Sequence, residues 1–221
     1  MKLFTSKISI FFLILISAFL TGSFLQHQIA SAGDLNRLAQ GQPTLGDAEA
    51  PVQLIIFEEP KCPDCKQFTT MIFPLLKKDF IDTHQVRYTI IPVSFVPGSM
   101  PAAIACLCVF NQKGNRPNHD LFFSYINYLY SHQPSESEDW ATPANLEKWA
   151  KEAHPAIRID ELKEGLKQGL YRSQVEKNTE AGLALMHGEL TTPTLYINGK
   201  QVEQMTYSEI SRLINQALKE K

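Results

Sequence analysis

Only four of the 221 residues are cysteine. A chain of this length can rest on its own core and needs no disulfide framework. No cysteine precedes Cys62, which excludes a lipid anchor on a leader cysteine. Neither sign of charge dominates: 21 Lys+Arg oppose 23 Asp+Glu, a net charge of −2. Setting aside Lys2 and Lys7 leaves −4, because no acidic residue precedes Asp34. The basic footprint that a nucleic-acid partner calls for is missing. There is no internal repeat and no low-complexity tract. With 44% hydrophobic and 20% charged residues, a collagen-like or disordered chain is excluded. Residues 102–187 contain no convincing strand pattern.

What is present starts with the N-terminus. Lys2 and Lys7 flank a run from Ile8 to Leu20 without any charge, and Ala30-Ser31-Ala32 follows. A basic region, an apolar region and small residues in this order read as a signal peptide. The apolar run stretches to Leu25, about 18 residues, the lower limit for a spanning helix. Residues 1–32 are therefore expected to be a removable signal or an N-terminal membrane anchor built on 8–25. A buried core helix is the remaining alternative. Either of the first two places the rest of the chain where disulfides persist.

Residues 33–50 are polar, with Gly33, Gly41, Pro43 and Gly46, and read as a lead-in loop. Val52 to Phe57 (VQLIIF) reads as a buried strand. Cys62 opens a helix with Phe68, Met71, Ile72, Leu75 and Leu76 at helical spacing, and Pro74 predicts a kink or break in it. Val86 to Val93 reads as a second strand. Helix patterns follow at Ala102–Phe110 and at Leu121–Tyr130. Thr142-Pro143 is a helix start with a Thr cap. Asp160 can cap a further helix, and Gly188 suits a C-terminal cap. Strand signals return at Thr194 to Ile197. Asn198-Gly199 predicts a hairpin with Lys200 to Glu203 as its return strand. Thr206-x-x-Glu209 is a capping box for a last helix whose apolar face is Ile210, Leu213, Ile214 and Leu218. Strands at both ends with helices between them suggest one α/β sheet interrupted by an all-helical insertion.

The chemistry is concentrated at Cys62-Pro63-Asp64-Cys65. Two thiols in a C-x-x-C pair at a strand-to-helix junction can close a small disulfide ring. Unpaired N–H groups and the helix dipole favour a thiolate at Cys62. A lowered pKa makes Cys62 both attacking nucleophile and leaving group. Cys65, one turn further in, is the resolving thiol. Pro63 removes a donor that has no helical partner there. Two other readings stand beside this one. A zinc half-site needs two further ligands at suitable spacing, whereas Cys106-x-Cys108 lies far along the chain and the histidines are scattered singly. A structural disulfide more often closes a longer loop. Cys106 and Cys108 face roughly opposite sides of a helix and read as buried structural thiols.

The segment GDAEAPVQLIIFEEPKCPDCKQF, Gly46 to Phe68, resembles the active-site region of DsbA-like thioredoxin-fold proteins. So does FPLLKKDFIDTHQVRYTIIP from Phe73 to Pro92. Near the other end, TTPTLYINGK from Thr191 to Lys200 resembles the family's cis-proline loop and hairpin. The resemblance covers roughly 45–97 and 186–220, and it is nearest to the monomeric branch of bacterial exported proteins. It implies an α/β, thioredoxin-like fold interrupted by an all-helical insertion, with a first part at 33–97, the insertion at 98–187 and a second part at 188–221. It also implies that Pro193 is cis and lies against the disulfide, with the Thr192 backbone offered to an extended substrate. An ordinary strand-edge proline is the alternative.

Two departures matter. Pro-Asp stands where DsbA has Pro-His. Asp64 would repel the Cys62 thiolate and weaken the pair as an oxidant. Equally, it can be a first-turn residue favoured by the helix dipole. Thr192 before the proline resembles the DsbC and DsbG isomerases, whose N-terminal dimerisation domain has no room in 33–50. Glu59 matches the acidic residue that the family often has three positions before the first cysteine. It is read either as assisting proton transfer to Cys65 or as a solvated loop-edge carboxylate.

The expected function is dithiol–disulfide exchange on exported proteins in a periplasmic or other extracytoplasmic space. No cofactor or metal is expected. A membrane redox partner would reset the pair, and the protein is expected to be a monomer. A reductase or isomerase kept reduced by a membrane partner is the alternative enzyme. A chaperone-like module that uses the groove without catalysis is the alternative of another class.

Overall fold

The computed structural model describes residues 32–112 and 117–220. The leader reading at 1–32 therefore lies outside the described residues, apart from Ala32. Among the described residues no helix is long and apolar enough to cross a membrane.

The first element is a helix, α1 (Ala32–Ala39), followed by the two-residue strand β1 (Thr44–Leu45). This corrects the lead-in loop expected at 33–50. Strands β2 (Val52–Glu58) and β3 (Val86–Pro92) then pair in parallel, with Leu54 opposite Tyr88 and Ile56 opposite Ile90. Parallel neighbours need a crossover, and helix α2, residues 63–81, supplies it. Among the described residues the helices α3 (Met100–Phe110), α4 (His119–His132), α5 (Pro143–Ala153), α6 (Ile159–Gln168) and α7 (Arg172–Leu185) follow. Strands β4 (Thr194–Ile197) and β5 (Lys200–Gln201) and helix α8 (Tyr207–Lys219) close the chain. The sheet order is β1-β3-β2-β4-β5, with β4 antiparallel to β2.

The central strand explains this layering. Period-2 alternation sends Val52, Leu54 and Ile56 into one apolar cluster and Ile55 and Phe57 into another. Both faces of β2 are thus buried, as its unbroken apolar sequence requires. The first cluster packs under α2, α3 and α8. The second is covered by Leu35 and Ala39 of α1 and by Met186 after α7. Leu35 and Ala39 lie one turn apart on the buried face of α1, and half-buried Leu38 packs beside them.

Helix α2 does not break at Pro74. Its segments alternate between α geometry (Pro63–Gln67, Phe73–Leu76) and wide π turns (Phe68–Ile72, Lys77–Ile81). The Phe73 N–H donates to the Phe68 carbonyl, five residues back. This widened turn accommodates the missing proline N–H without ending the helix. It also rotates the buried face. Phe68, Phe73, Leu76 and Phe80 point inward, and Met71 is 63% exposed. The regular spacing that predicted Met71 and Leu75 on the core face does not survive the extra residue.

Helix α3 is buried from Ala102 to Phe110 and packs against α4 and α6. A Cβ at Gly165 of α6 would lie 2.5 Å from Cys108 Sγ, so this glycine sets the close approach of the two helices. Three terminus readings are refined. Thr142 Oγ1 accepts from the Asn145 N–H as expected. Arg158, not Asp160, is the N-cap of α6, and Asp160 sits in the first turn, where its charge suits the dipole. His187, at φ 57°, takes the left-handed position after α7, and the Gly188 N–H reaches back to Leu183 O at 2.7 Å. The hairpin turn holds Asn198 and Gly199 at φ 47° and 83°, as an Asn-Gly turn should. The return strand is limited to Lys200–Gln201. Thr206 caps α8 by accepting from the Glu209 N–H. The Glu209 carboxylate pairs with Arg212 instead of completing the box.

Candidate functional site

Strand β2 ends at Glu58, and five residues later the chain enters α2 at Pro63. The Cys62 N–H donates to Glu59 O at 2.9 Å, which closes this turn. Cys62 is the N-cap, with extended backbone, and Pro63 opens the helix. The Cys62 sulfur accepts from the Cys65 N–H at 3.4 Å. It thus does the work that a Ser or Asp oxygen does at other helix starts.

Because β4 lies beside β2, the loop before β4 reaches the same point. The Thr192–Pro193 bond is cis, and the Cys62 thiol donates to Thr192 O at 3.2 Å. Among the described residues the buried Thr192 hydroxyl has no partner while Cys62 keeps its proton, which leaves it free to donate to the Cys62 thiolate. Of the residues singled out in the sequence, Cys62, Cys65, Thr192 and Pro193 therefore converge. Pro63 and Asp64 are exposed in the first turn. Both motif cysteines are free thiols here.

The two thiols differ. Cys62 keeps a 7% exposed edge, while Cys65 is fully buried. The Cys62 thiol is lowered from its ordinary 9.0 to about 6. The main cause is a hydrogen bond from the Cys65 thiol to the ionised sulfur. Burial opposes this. The Thr192 hydroxyl and the N–H groups of Cys65 and Asp64 assist. Cys65 moves the other way, well above 9.0, through burial, its bond to Cys62 and the charge of Glu58.

Both glutamates before the motif are fully buried, so the solvated reading of Glu59 is corrected. Burial raises Glu59 to about 7 and Glu58 to about 8. Glu59 Oε1 accepts from the Lys61 N–H at 3.0 Å. Glu58 Oε1 accepts from the Tyr88 hydroxyl at 3.2 Å, and its other oxygen has no partner among the described residues. Glu58 is the carboxyl whose charge acts on Cys65. Sequence reasoning passed over it, although a signal was there. Leu54, Ile56 and Glu58 share one side of a strand, so Glu58 had to point inward.

Lys61 was also missed. Its ammonium donates to Pro97 O at 3.2 Å and to Glu138 O at 2.9 Å, over the Trp140 ring. Lys66 likewise donates to Gln133 O. These bonds clamp the segment after α4 onto the site. Cys106 and Cys108 are buried free thiols, and burial pushes Cys108 up to about 12. Among the described residues, no three His, Cys, Asp or Glu side chains converge as a metal-ligand set.

Alkylation of the reduced protein at pH 7 should therefore mark Cys62 at least ~100-fold faster than the other three thiols, since thiolate fraction and access both favour it. The labelling rate should reach half its maximum near pH 6. Mass spectrometry of a timed series reads this directly. Earlier labelling of Cys65 would reverse the roles of the pair.

A family model described as Thioredoxin matches residues 38–216. Disulfide bond formation protein D of Bacillus subtilis is 36% identical over 184 residues, covering 82% of this chain and 79% of that protein. The crystal structure of Chlamydia trachomatis DsbA superposes with a TM-score of 0.75 at 36% identity, over 80% of this chain and 92% of that one. Oxidised BdbD from Bacillus subtilis gives 0.73, also at 36% identity, over 81% and 94%.

Proposed function

Because the chain belongs to the DsbA-like protein-disulfide oxidoreductases of the thioredoxin fold, we propose that Cys62 and Cys65 are its redox pair and that it oxidises exported proteins. The observation that carries this reading is the asymmetry of the pair: an accessible sulfur ionised near pH 6 above a buried, proton-holding one.

In the oxidised protein a substrate thiolate attacks the Cys62 sulfur. The Cys62–Cys65 bond breaks, and its electron pair leaves on Cys65. That thiolate is buried and takes up a proton, which Glu58, the carboxyl whose charge acts on Cys65, can supply, with Glu59 in the turn before Cys62. A second substrate thiolate then attacks the substrate sulfur of the mixed disulfide. Cys62 leaves as a stabilised thiolate and the substrate leaves oxidised. Two electrons have passed from substrate to enzyme. The low Cys62 pKa favours the reduced enzyme and so raises its potential. The Thr192 carbonyl and the flank of Pro193 would hold the substrate chain in an extended conformation.

This function fits a chain exported by residues 1–32, acting as a monomer in a periplasmic or other extracytoplasmic space. A membrane redox partner would return the pair to its oxidised form. We retain 33–97 and 188–221 as the two parts of the thioredoxin-like unit and 98–187 as its helical insertion.

The test is stoichiometric transfer. Oxidised protein mixed with a reduced, unfolded two-cysteine protein should yield one substrate disulfide per enzyme dithiol. Equilibration against a glutathione series should place the pair above the thioredoxin value of about −270 mV. A potential at or below that value would favour the reductase alternative.

A further inference from the structure

Lys61, one residue before Cys62, lines an open groove of about 560 Å³. Resting on the exchange reading above, we propose that this groove selects substrates carrying basic residues next to the reacting cysteine. One wall is the loop after β3, where Phe95 is 45% exposed beside Pro97. The other wall is the segment after α4, with Glu136, Glu138 and Asp139 all exposed. Lys61 lies between the walls, one residue before Cys62, and bonds to a carbonyl of each.

Those two bonds fix the groove's width and consume donors of Lys61, the one cation among its described lining residues. Lys61 itself is buried, so a substrate meets the three carboxylates rather than the ammonium. Asp64, exposed in the first turn of α2, adds a fourth negative charge close to Cys62. The apolar wall suits the stem of an arginine or lysine, and the acidic wall suits its head. An extended chain advances about 3.3 Å per residue. A basic residue a few positions from the attacking cysteine would therefore reach the carboxylates while that cysteine reaches Cys62. Clefts lined by one sign of charge act mainly on encounter rate and partner choice.

Two reduced peptides separate this from a neutral groove. Each carries the same pair of cysteines, flanked by arginines in one and by glutamates in the other. Their rates with the oxidised protein are each divided by their rates with hydroxyethyl disulfide. This division removes the effect of flanking charge on the peptide's own thiolates. The arginine peptide should be favoured about tenfold at low salt, and the preference should shrink in about 1 M salt, where the screening length is ~3 Å. In the Glu136→Lys/Asp139→Lys variant the preference should vanish or invert. Because it is a ratio on one sample, a partly folded variant does not mimic this result. Equal normalised rates for the wild-type protein at low salt would overturn the inference. So would a preference that persists unchanged in the variant. If neither peptide is oxidised, the exchange reading fails, and the groove inference falls with it.

Discussion

Cells expressing the Cys65→Ser variant should accumulate high-mass adducts of this protein that disappear on reduction. Cys62 remains activated in that variant by the Thr192 hydroxyl and the N–H groups at the helix start, although it loses the Cys65 thiol, its strongest single support. It still attacks disulfides in other proteins. The only sulfur placed to release the adduct from within is the one at position 65, bonded to Cys62 at the foot of the first turn. Cys106 and Cys108 are held in a buried helix, and Cys108 is wedged against Gly165. Neither can substitute. Turnover should fall by orders of magnitude, while the wild-type protein shows few adducts. Non-reducing gels with the Cys62→Ser and double variants as controls read the outcome. Adducts in Cys62→Ser but not in Cys65→Ser would show that the assigned roles are wrong.

Glu58→Gln should make the oxidised protein more stable and its chemistry slower. The folded protein holds the Glu58 proton up to about pH 8, whereas the ordinary carboxyl releases it near 4.5. Between these values the folded state binds the extra proton. Stability therefore falls as pH rises through this window. At pH 7 the penalty is about 3 kcal/mol from a shift of this size. Glutamine never ionises and removes it, less what its amide loses by finding too few partners. The gain in unfolding free energy should be near zero at pH 4.5 and reach about 2–3 kcal/mol by pH 7–8. The comparison belongs in the oxidised state, where Cys62 carries no charge to help raise Glu58 and the gain lies at the lower end of this range. In the reduced protein Cys62 contributes the opposite slope: its depressed pKa adds stability that is present above pH 9 and lost as pH falls through 6. Denaturant midpoints across pH 4.5–8 test this. A gain independent of pH would mean that Glu58 is ionised in the fold and has no proton to give Cys65.

These two residues show how far the sequence could be read. Cys62 and Cys65 stood out through a short motif at a strand-to-helix junction, and Thr192-Pro193 through a second motif before a hairpin. The apolar runs of β2, β3 and β4 were legible because alternation in a buried strand leaves few choices. Glu58 was half legible. Its side of the strand followed from Leu54 and Ile56, but its isolation from water depends on the surrounding fold, including Tyr88 from β3. Helix α1 was missed although Leu35, Leu38 and Ala39 stand at helical spacing, because that face spans only two turns and Gly41, Pro43 and Gly46 after it read as loop. The exposed face of α2 was misassigned because helical spacing assumes 3.6 residues per turn, and a π turn adds one. The groove was out of reach, since its walls lie about 40 residues apart in the chain and are bridged by a lysine, Lys61, that no motif singled out.

The π turn at Phe68–Ile72 has a mechanical consequence. It separates the five residues Pro63–Gln67, which carry Cys65 and are capped by Cys62, from the stretch of α2 anchored by Phe73, Leu76 and Phe80. A continuous α-helix would act as a rigid lever and pass any rotation at Cys62 down to the packing on β3. A widened turn is a compliant joint. The anchoring contacts of Phe73, Leu76 and Phe80 thus lie on the far side of that joint from the two sulfurs, so a change at the sulfur pair is less rigidly coupled to the core than along a continuous helix.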